Sequence, residues 1–421
     1  MRDLLGRPVV VVTGVGAVSP LGFGVAESWP ALLAGRSGIR RIARFPTEHL
    51  RTTIAGTVDL PGEAPGGEPV SCARRVEGMA SHAMEEAISA AGIGARGDFP
   101  GPLFLGMPPV EVEWPARLSL ARTAGATYPE MVVGAADRRD IFDEALMGGV
   151  GERLADRFGT RGPVVSLTTA CATGASAIQM GVEAIQRGEC EACVAVGAEG
   201  SVTPEGLIRF SLLSALSTRN DDPARAARPF ERTRDGFVMS EGAAALVLED
   251  ADSARARGAA ILGVVSGCGE RADSFHRTRS NPDGRAIIGA MRNALADAGL
   301  GPGDIGYVNA HGTGTPENDK METLGMRAVF GDAPPPISSN KSMIGHTLSA
   351  AGALEAVFAL LTLRDGRLPP TINHEEPDPS LGGLDVVPNA ARDAPGLRHV
   401  LSNSFGFGGQ NTCLVLSAEP R

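Results

Sequence analysis

The run Val9-Val10-Val11-Val12-Thr13-Gly14-Val15-Gly16 and the run Ala260-Ile261-Leu262-Gly263-Val264-Val265-Ser266-Gly267 share one pattern, far apart in the chain. Each is an apolar, β-branched stretch that reaches a glycine, and so reads as a buried strand entering a glycine turn. A chain that restarts in this way is built from two related α/β halves, here residues 1–258 and 259–421. Helical stretches are expected at Val25–Leu33, Ala73–Ala91, Cys171 to about Arg187, 284–299, 317–330 and 349–364. Strands are expected at Cys193–Gly197, Ala243–Leu248, 306–309, and near 398–402 and 412–416, with Asp59–Val70 a Pro/Gly/Glu loop. With 55 glycines and only 4% aromatics, backbones must approach closely, which suits helices layered on sheets.

Several function classes fall away at once. A net charge of −10 and the lack of an arginine run interleaved with aromatics argue against a nucleic-acid binder. No apolar stretch reaches the length of a membrane span, since Glu355 interrupts Gly352 to Leu361. The first strand begins too early to leave room for a signal peptide, and six scattered cysteines suit a reducing compartment, so a cytoplasmic protein is expected. Gly14 and Gly16 lack the third glycine and the following helix of a dinucleotide fingerprint. Cys190-Glu191-Ala192-Cys193 is half a zinc site with no second half.

Chemistry concentrates at Cys171, where the β-rich run Val164–Leu167 breaks into Thr-Thr-Ala-Cys-Ala-Thr-Gly and then a helix of small residues. A cysteine at a helix N-terminus sits at the positive end of the dipole, which favours the thiolate. His311, in Asn-Ala-His-Gly-Thr-Gly-Thr-Pro, and His346, in Asn-Lys-Ser-Met-Ile-Gly-His-Thr, lie in glycine-bracketed segments that can offer two imidazoles to whatever the thiolate attacks. Of the 39 basic residues only Lys320 and Lys341 are lysine. In a chain so committed to arginine, Lys341 reads as a position that needs a compact ammonium. The arrangement is that of an acyl-transfer enzyme.

These motifs, with Val-Val-Thr-Gly near the N-terminus, Arg-Asp-Gly-Phe-Val-Met-Ser-Glu-Gly-Ala at 234–243 and Ser-Asn-Ser-Phe-Gly-Phe-Gly-Gly at 402–409, resemble the β-ketoacyl-acyl-carrier-protein synthases. The similarity is to the elongating Cys-His-His branch, synthases I and II, of the thiolase superfamily. It implies a thiolase-like α/β fold, two topologically related halves in five alternating layers, α-β-α-β-α. It also implies a decarboxylative Claisen condensation in fatty-acid elongation, in which Cys171 carries the acyl group and malonyl-acyl carrier protein extends it to the 3-oxoacyl product. His311, His346 and Lys341 complete the catalytic set, with the N–H groups of Cys171 and Phe407 as oxyanion hole. Thr313, Thr315 and Thr278 are implied to hold the pantetheine arm, and Phe405 and Phe210 the substrate. Lys341 is expected to pair with Asp319. Asn309, Glu355, Ser402 and Asn403 are implied ligands of a structural Na+ or K+. No cofactor is required, because substrates ride on carrier phosphopantetheine.

The resemblance thins between Leu103 and Val150, where relatives close the acyl tunnel with a glycine-rich loop at a dimer interface. Here stand Gly106-Met107-Pro108-Pro109-Val110-Glu111-Val112-Glu113-Trp114-Pro115, then Tyr128-Pro129-Glu130 and Asp137-Arg138-Arg139-Asp140. Prolines stiffen the first of these. A specialised or unusually long acyl chain, or a specialised carrier, is expected. Arg271, Arg277 and Arg279, then Arg74 and Arg75, are the candidates for docking an acidic carrier protein. The expected assembly is a homodimer, with a heterodimer beside a related synthase as the alternative: the active half of a polyketide ketosynthase/chain-length-factor pair. A thiolase would use a second cysteine near the C-terminus, but Cys413 lies in the apolar strand Thr-Cys-Leu-Val-Leu.

Overall fold

The opening valine run does not turn at its glycines. It continues as one strand, Val10–Ser19, because helix Cys72–Ala91 lies directly on it. A Cβ at Gly14 would fall 2.0 Å from the carbonyl oxygen of Ala87, and one at Gly16 2.0 Å from that of Ala83. The second run repeats the device inside strand Gly263–Ala272. There a Cβ at Gly267 or Gly269 would lie 2.4 or 2.2 Å from the carbonyl oxygens of Ala294 and Ala290 on helix Arg285–Ala298. The glycines that read as turns are contact points between a strand and a helix backbone, and helical alanines face them. Gly269→Ala should therefore lower the unfolding free energy by about 2 kcal/mol, the cost of overpacking against backbone that cannot yield. Denaturant titration measures it, and a loss below about 0.5 kcal/mol, the range of neutral surface changes, would refute the account.

The computed structural model describes residues 1–61, 63, 70–94, 97–125 and 127–419, so most of the expected loop between Asp59 and Val70 lies outside the described residues. Among the described residues, strands of both halves join in one sheet. Its order is Ile337–Ser338, Tyr307–Asn309, His399–Phe405, Gln410–Ser417, Gly263–Ala272, Val10–Ser19, Gly242–Asp250, Ala192–Glu199, Leu103–Gly106 and Val164–Leu167. Gly22–Phe23 pairs only with the first strand. From the middle outwards, each half runs through its own first, fifth, fourth, second and third strands. The first, fifth and fourth are antiparallel neighbours, and the rest are parallel. The halves meet through Val11–Val264 and Val12–Gly263.

Helices Thr173–Gln186 and Ala351–Asp365 pack on each other and on strands of both halves, forming the middle layer. The second of these is buried on every side from Ala351 to Leu363, as a helix between two sheet faces must be. Cys72–Ala91 covers the outer face of the N-terminal half, and Arg285–Ala298 that of the C-terminal half. The result is the five-layer thiolase-like α/β fold, with one apolar core in the middle and one beneath each outer helix layer.

Beyond strand Leu103–Gly106 the chain departs from any sequence expectation. Helices Trp114–Ala124, Tyr128–Ala135 and Arg139–Glu144 bury a single residue between them, Leu120. Trp114, Leu118, Tyr128, Val132, Val133, Phe142 and Leu146 are exposed there. No helix of the described residues is long and apolar enough to cross a membrane.

Candidate active site

Cys171 stands on a tight elbow between strand Val164–Leu167 and helix Thr173–Gln186. Ala170 adopts φ 51°, a left-handed conformation that costs a non-glycine residue about 1–2 kcal/mol. Thr173 secures the bend, its hydroxyl donating to Ala170 O (2.5 Å) and accepting from Thr169 N–H (2.7 Å). The glycine-rich segment after Phe405 presses on the same elbow, since a Cβ at Gly406 would lie 3.3 Å from Cys171 N. That contact brings the Phe407 N–H to the Cys171 sulfur.

The thiol is 7% exposed, and burial pushes it up to about 11. The Phe407 N–H and the Lys341 charge pull the other way, but burial outweighs these two. Against the dipole, which favours the thiolate, stands a burial that favours the thiol. Helix position can be read from a sequence, whereas the loss of water around the sulfur depends on how Phe405–Gly409 and the two histidine loops close over it.

The Cys171 sulfur and one ring nitrogen from each of His311 and His346 lie within 4.8 Å of one another. His346 Nδ1 accepts the Leu348 N–H (3.2 Å), so in the neutral ring the proton sits on Nε2, a buried atom without a partner among the described residues. His311 Nδ1 faces the Lys341 ammonium at 3.4 Å. An ammonium can only donate, so His311 too carries its proton on Nε2. Burial, followed by the Lys341 charge, holds both imidazoles well below their ordinary range and therefore neutral. Two neutral N–H donors beside a sulfur suit a developing oxyanion. They do not suit a metal ion, because the lone pairs are already engaged at Nδ1.

Each donor is held from behind. The 234–243 motif brackets His346: its N–H donates to Val238 O (2.7 Å), and its carbonyl accepts from Ser240 N–H (3.0 Å). Phe237 packs edge-on against its ring at 5.2 Å. Under His311, Glu322 accepts the N–H groups of His311 (2.9 Å) and Gly312 (2.7 Å) and the Asn403 amide (3.0 Å). Sequence reasoning missed Glu322. Its signal is Asp319 and Glu322 three residues apart, which puts two carboxylates on one helix face beside the His311 loop.

One expected pairing and one set of expected docking residues are corrected. Lys341 pairs with Glu355, not with Asp319. Asp319 instead accepts from Phe230 N–H (2.8 Å) and Gly314 N–H (3.2 Å), near Arg234. Glu355 lies on the middle-layer helix Ala351–Asp365, whereas Asp319 lies on helix Pro316–Phe330, which packs against the outer helix Arg285–Ala298. Arg75 is not a surface docking residue, because it is buried against Glu241 and Glu63. Arg74 is tied to Glu144.

Of the expected cation ligands, Asn309 donates to Ser402 Oγ (3.2 Å), while Asn403 turns its amide to Glu322. Glu355 Oε2 and Asn340 Oδ1 are buried without a partner among the described residues. Burial pushes Glu355 up to about 7, and Glu322 adds to that rise. An orphaned carboxylate oxygen beside a second buried carboxylate fits a monovalent cation.

A cavity of about 490 Å³ runs from the surface to Cys171, His311 and His346, and Thr278, Thr313, Thr315 and Phe405 are in its wall. Lys320 lies at its mouth and Phe407 in its wall. Phe210 does not line it but packs edge-on against Phe237 at 5.4 Å. Cys413 is fully buried, its thiol donating to Asn403 Oδ1 (3.3 Å), away from this cavity.

A buried thiol at a strained elbow, faced by two imidazole donors inside a doubled α/β fold, defines a thiolase-fold condensing acyltransferase. Residues 7–254 match the β-ketoacyl synthase N-terminal domain and residues 262–375 the C-terminal domain. The chain is 39% identical to 3-oxoacyl-[acyl-carrier-protein] synthase 2 of Coxiella burnetii, over 97% of this chain and 98% of that one. It is 36% identical to the tetracenomycin polyketide synthase ketoacyl synthase alpha subunit of Streptomyces glaucescens, over 98% and 97%. A solved type II polyketide ketosynthase, in complex with its acyl carrier protein and bound to a hexaketide, is similar at TM-score 0.86. It is 29% identical, covering 98% of this chain and 100% of that one. The chain belongs to the β-ketoacyl synthase family.

Proposed function

We propose that this enzyme condenses an acyl group held on Cys171 with malonyl-acyl carrier protein, releasing carbon dioxide and leaving 3-oxoacyl-acyl carrier protein. The observation that carries the reading is the pair of neutral Nε2–H donors, one unpartnered, beside the Cys171 sulfur. In the first half-reaction the Cys171 sulfur attacks the incoming thioester. The tetrahedral oxygen is held by the Cys171 and Phe407 N–H groups, and the departing pantetheine thiolate takes the thiol proton. In the second, His311 and His346 hold the malonyl thioester oxygen as its carboxylate leaves as carbon dioxide. The enolate carbon attacks the acyl-Cys171 carbonyl, and the Cys171 thiolate departs. Thr313, Thr315 and Thr278 hold the pantetheine arm along the cavity wall, and Phe405 borders the reacting groups. Asn309, Glu355, Ser402 and Asn403 would hold a Na+ or K+ ion, which supplies positive charge to the buried carboxylates. The repeated strand order supports a division of the chain into residues 1–258 and 259–421.

Arg271, Arg277 and Arg279 are exposed, Arg279 in the cavity wall, with no carboxylate partner among the described residues. They suit docking of an acidic carrier protein. The exposed apolar side chains of helices 114–144 support burial against a second chain: a homodimer, or a related synthase in a polyketide-type pair. All six cysteines are free, which suits the cytoplasm.

Segment 107–114 favours a specialised acyl chain. Glu113 accepts Cys72 N–H (2.7 Å), Glu205 accepts Trp114 N–H (2.8 Å), and Glu111 pairs with Arg209. Carboxylates and prolines thus pin a segment where the family resemblance implies a glycine-rich loop. Mass spectrometry of acyl adducts on Cys171, after incubation with a panel of acyl-carrier proteins, tests this. Preference for an unusual chain or carrier is expected, and elongation of medium chains on the housekeeping carrier at the efficiency of a standard synthase would overturn it. Arg277→Glu with Arg279→Glu should raise the carrier KM about tenfold at low salt and less at high salt.

A further inference from the structure

The Cys190-Glu191-Ala192-Cys193 stretch has no part in the condensation. It lies beyond the far end of helix Thr173–Gln186, the helix that carries Cys171 at its start. A cavity of about 780 Å³ opens there to solvent, with Cys190, Phe104, Arg161, Arg257 and Ser253 in its wall. Cys190 is half-buried, whereas Cys193, in strand Ala192–Glu199, is fully buried. Both pack into the same central core. Helix Thr173–Gln186 crosses Cys193 so closely that a Cβ at Gly181 would lie 2.9 Å from its sulfur. The two thiols stand three residues apart, and each is the leading side-chain influence on the other's ionisation.

Two thiols of one short stretch, one at a cavity wall and one buried behind it, divide naturally into an attacking and a resolving sulfur. The electrostatics agree. Cys72, Cys171, Cys268 and Cys413 are all pushed up, chiefly by burial. Cys190 alone is lowered, first by the Cys193 side chain and further by Arg187, against burial and Glu189. Cys193 is correspondingly raised. Thiolate character and access, the two determinants of thiol oxidation, therefore coincide at Cys190 and not at the catalytic cysteine.

We propose that Cys190 and Cys193 are a redox modification site that forms a reversible disulfide with a hydroperoxide as oxidant. The Cys190 thiolate attacks the O–O bond, keeping one oxygen as sulfenic acid. The other oxygen leaves as alkoxide, or as hydroxide from hydrogen peroxide, and takes a proton from water. The Cys193 thiol then attacks the sulfenic sulfur, forming the S–S bond and releasing that oxygen as water with its own proton. The peroxide gains two electrons and the thiol pair loses two. A reductant dithiol reverses the bond by exchange.

Both cysteines fall on one tryptic peptide, Gly188–Arg209, which makes the test direct. The whole protein is treated with hydrogen peroxide at increasing dose, blocked, digested and weighed, with and without prior dithiothreitol. The expected result is a 188–209 peptide two hydrogens lighter, restored by dithiothreitol, formed at lower dose than any oxidation at Cys171. Cys193→Ser should stop at a sulfenic acid on Cys190 that dimedone traps. If Cys171 oxidises first while 188–209 keeps both thiols free, the proposal fails, and the wild-type measurement decides this even where the variant does not fold. A wild-type Cys190 that accumulates sulfinic acid without a disulfide overturns it equally.

Discussion

Cys171→Ala is expected to abolish condensation, by roughly a million-fold as for loss of a nucleophile in comparable acyl-transfer sites, while malonyl decarboxylation survives. The two outcomes separate because the two half-reactions lean on different atoms. Acyl transfer needs the Cys171 sulfur; the malonyl thioester oxygen needs only the Nε2–H groups of His311 and His346. Neither donor depends on that sulfur for its orientation. His346 is fixed by Leu348 N–H at Nδ1 and by Val238 and Ser240 along its backbone. His311 is fixed by Lys341 at Nδ1 and by Glu322 beneath its N–H. The elbow should persist as well, since Thr169, Ala170 and Thr173 hold it without the side chain of Cys171. The check is release of labelled carbon dioxide from malonyl-acyl carrier protein, alongside mass spectrometry of the 3-oxoacyl product. Retained condensation would remove Cys171 as the acyl carrier. Loss of decarboxylation together with condensation, in a folded variant, would show that the histidines do not work independently of the thiol.

Much of this site is legible in the sequence because its chemistry needs fixed backbones. Cys171, His311 and His346 each sit among glycines and threonines, where tight turns and close approach leave few alternatives. Lys341 stands out because arginine fills nearly every other basic position. What stayed hidden depends on packing between layers. The partner of Lys341 is decided by how helix Ala351–Asp365 lies beside it, and no spacing along the chain separates Glu355 from Asp319. Glu322 reads as an ordinary helical acid until the His311 loop is laid over it. Gly14 and Gly16 look the same in sequence whether they make a turn or admit a helix. Their counterparts Gly267 and Gly269, facing Ala294 and Ala290, are what settle the reading. The helices between Trp114 and Glu144 leave no periodic stripe, because almost none of their surface is buried within this chain.

The second large effect is expected at Lys341. Its ammonium acts on three neighbours in the same direction, lowering His311, His346 and Cys171 alike, and it pairs with the buried Glu355. Lys341→Met should lower kcat/KM about 10²- to 10³-fold, the scale of losing an aligned oxyanion donor, because His311 is no longer held at Nδ1. It should also change the pH profile. The working form of each histidine is neutral, and wild type keeps it so well below pH 6.5. Without the cation both histidines rise back towards 6.5, so the acidic limb of kcat/KM moves to higher pH. Glu355 responds in the same sense. Already raised to about 7, well above the ordinary carboxylate range, it rises further once its cation is gone. A carboxyl whose folded value lies above its unfolded one contributes stability below pH 4.5 that is lost as pH climbs through about 7. The variant should therefore be least stable at alkaline pH, losing about 3–5 kcal/mol there, the cost of leaving one partner of a buried pair uncompensated. Adding Glu355→Gln should recover most of that stability, because neither position of the pair then leaves a charge buried alone, yet none of the activity, because His311 stays unsupported. A double variant that regained both would make Lys341 a structural counter-ion alone. A single variant with an unmoved acidic limb would show that the histidines are held neutral by burial without help from the cation.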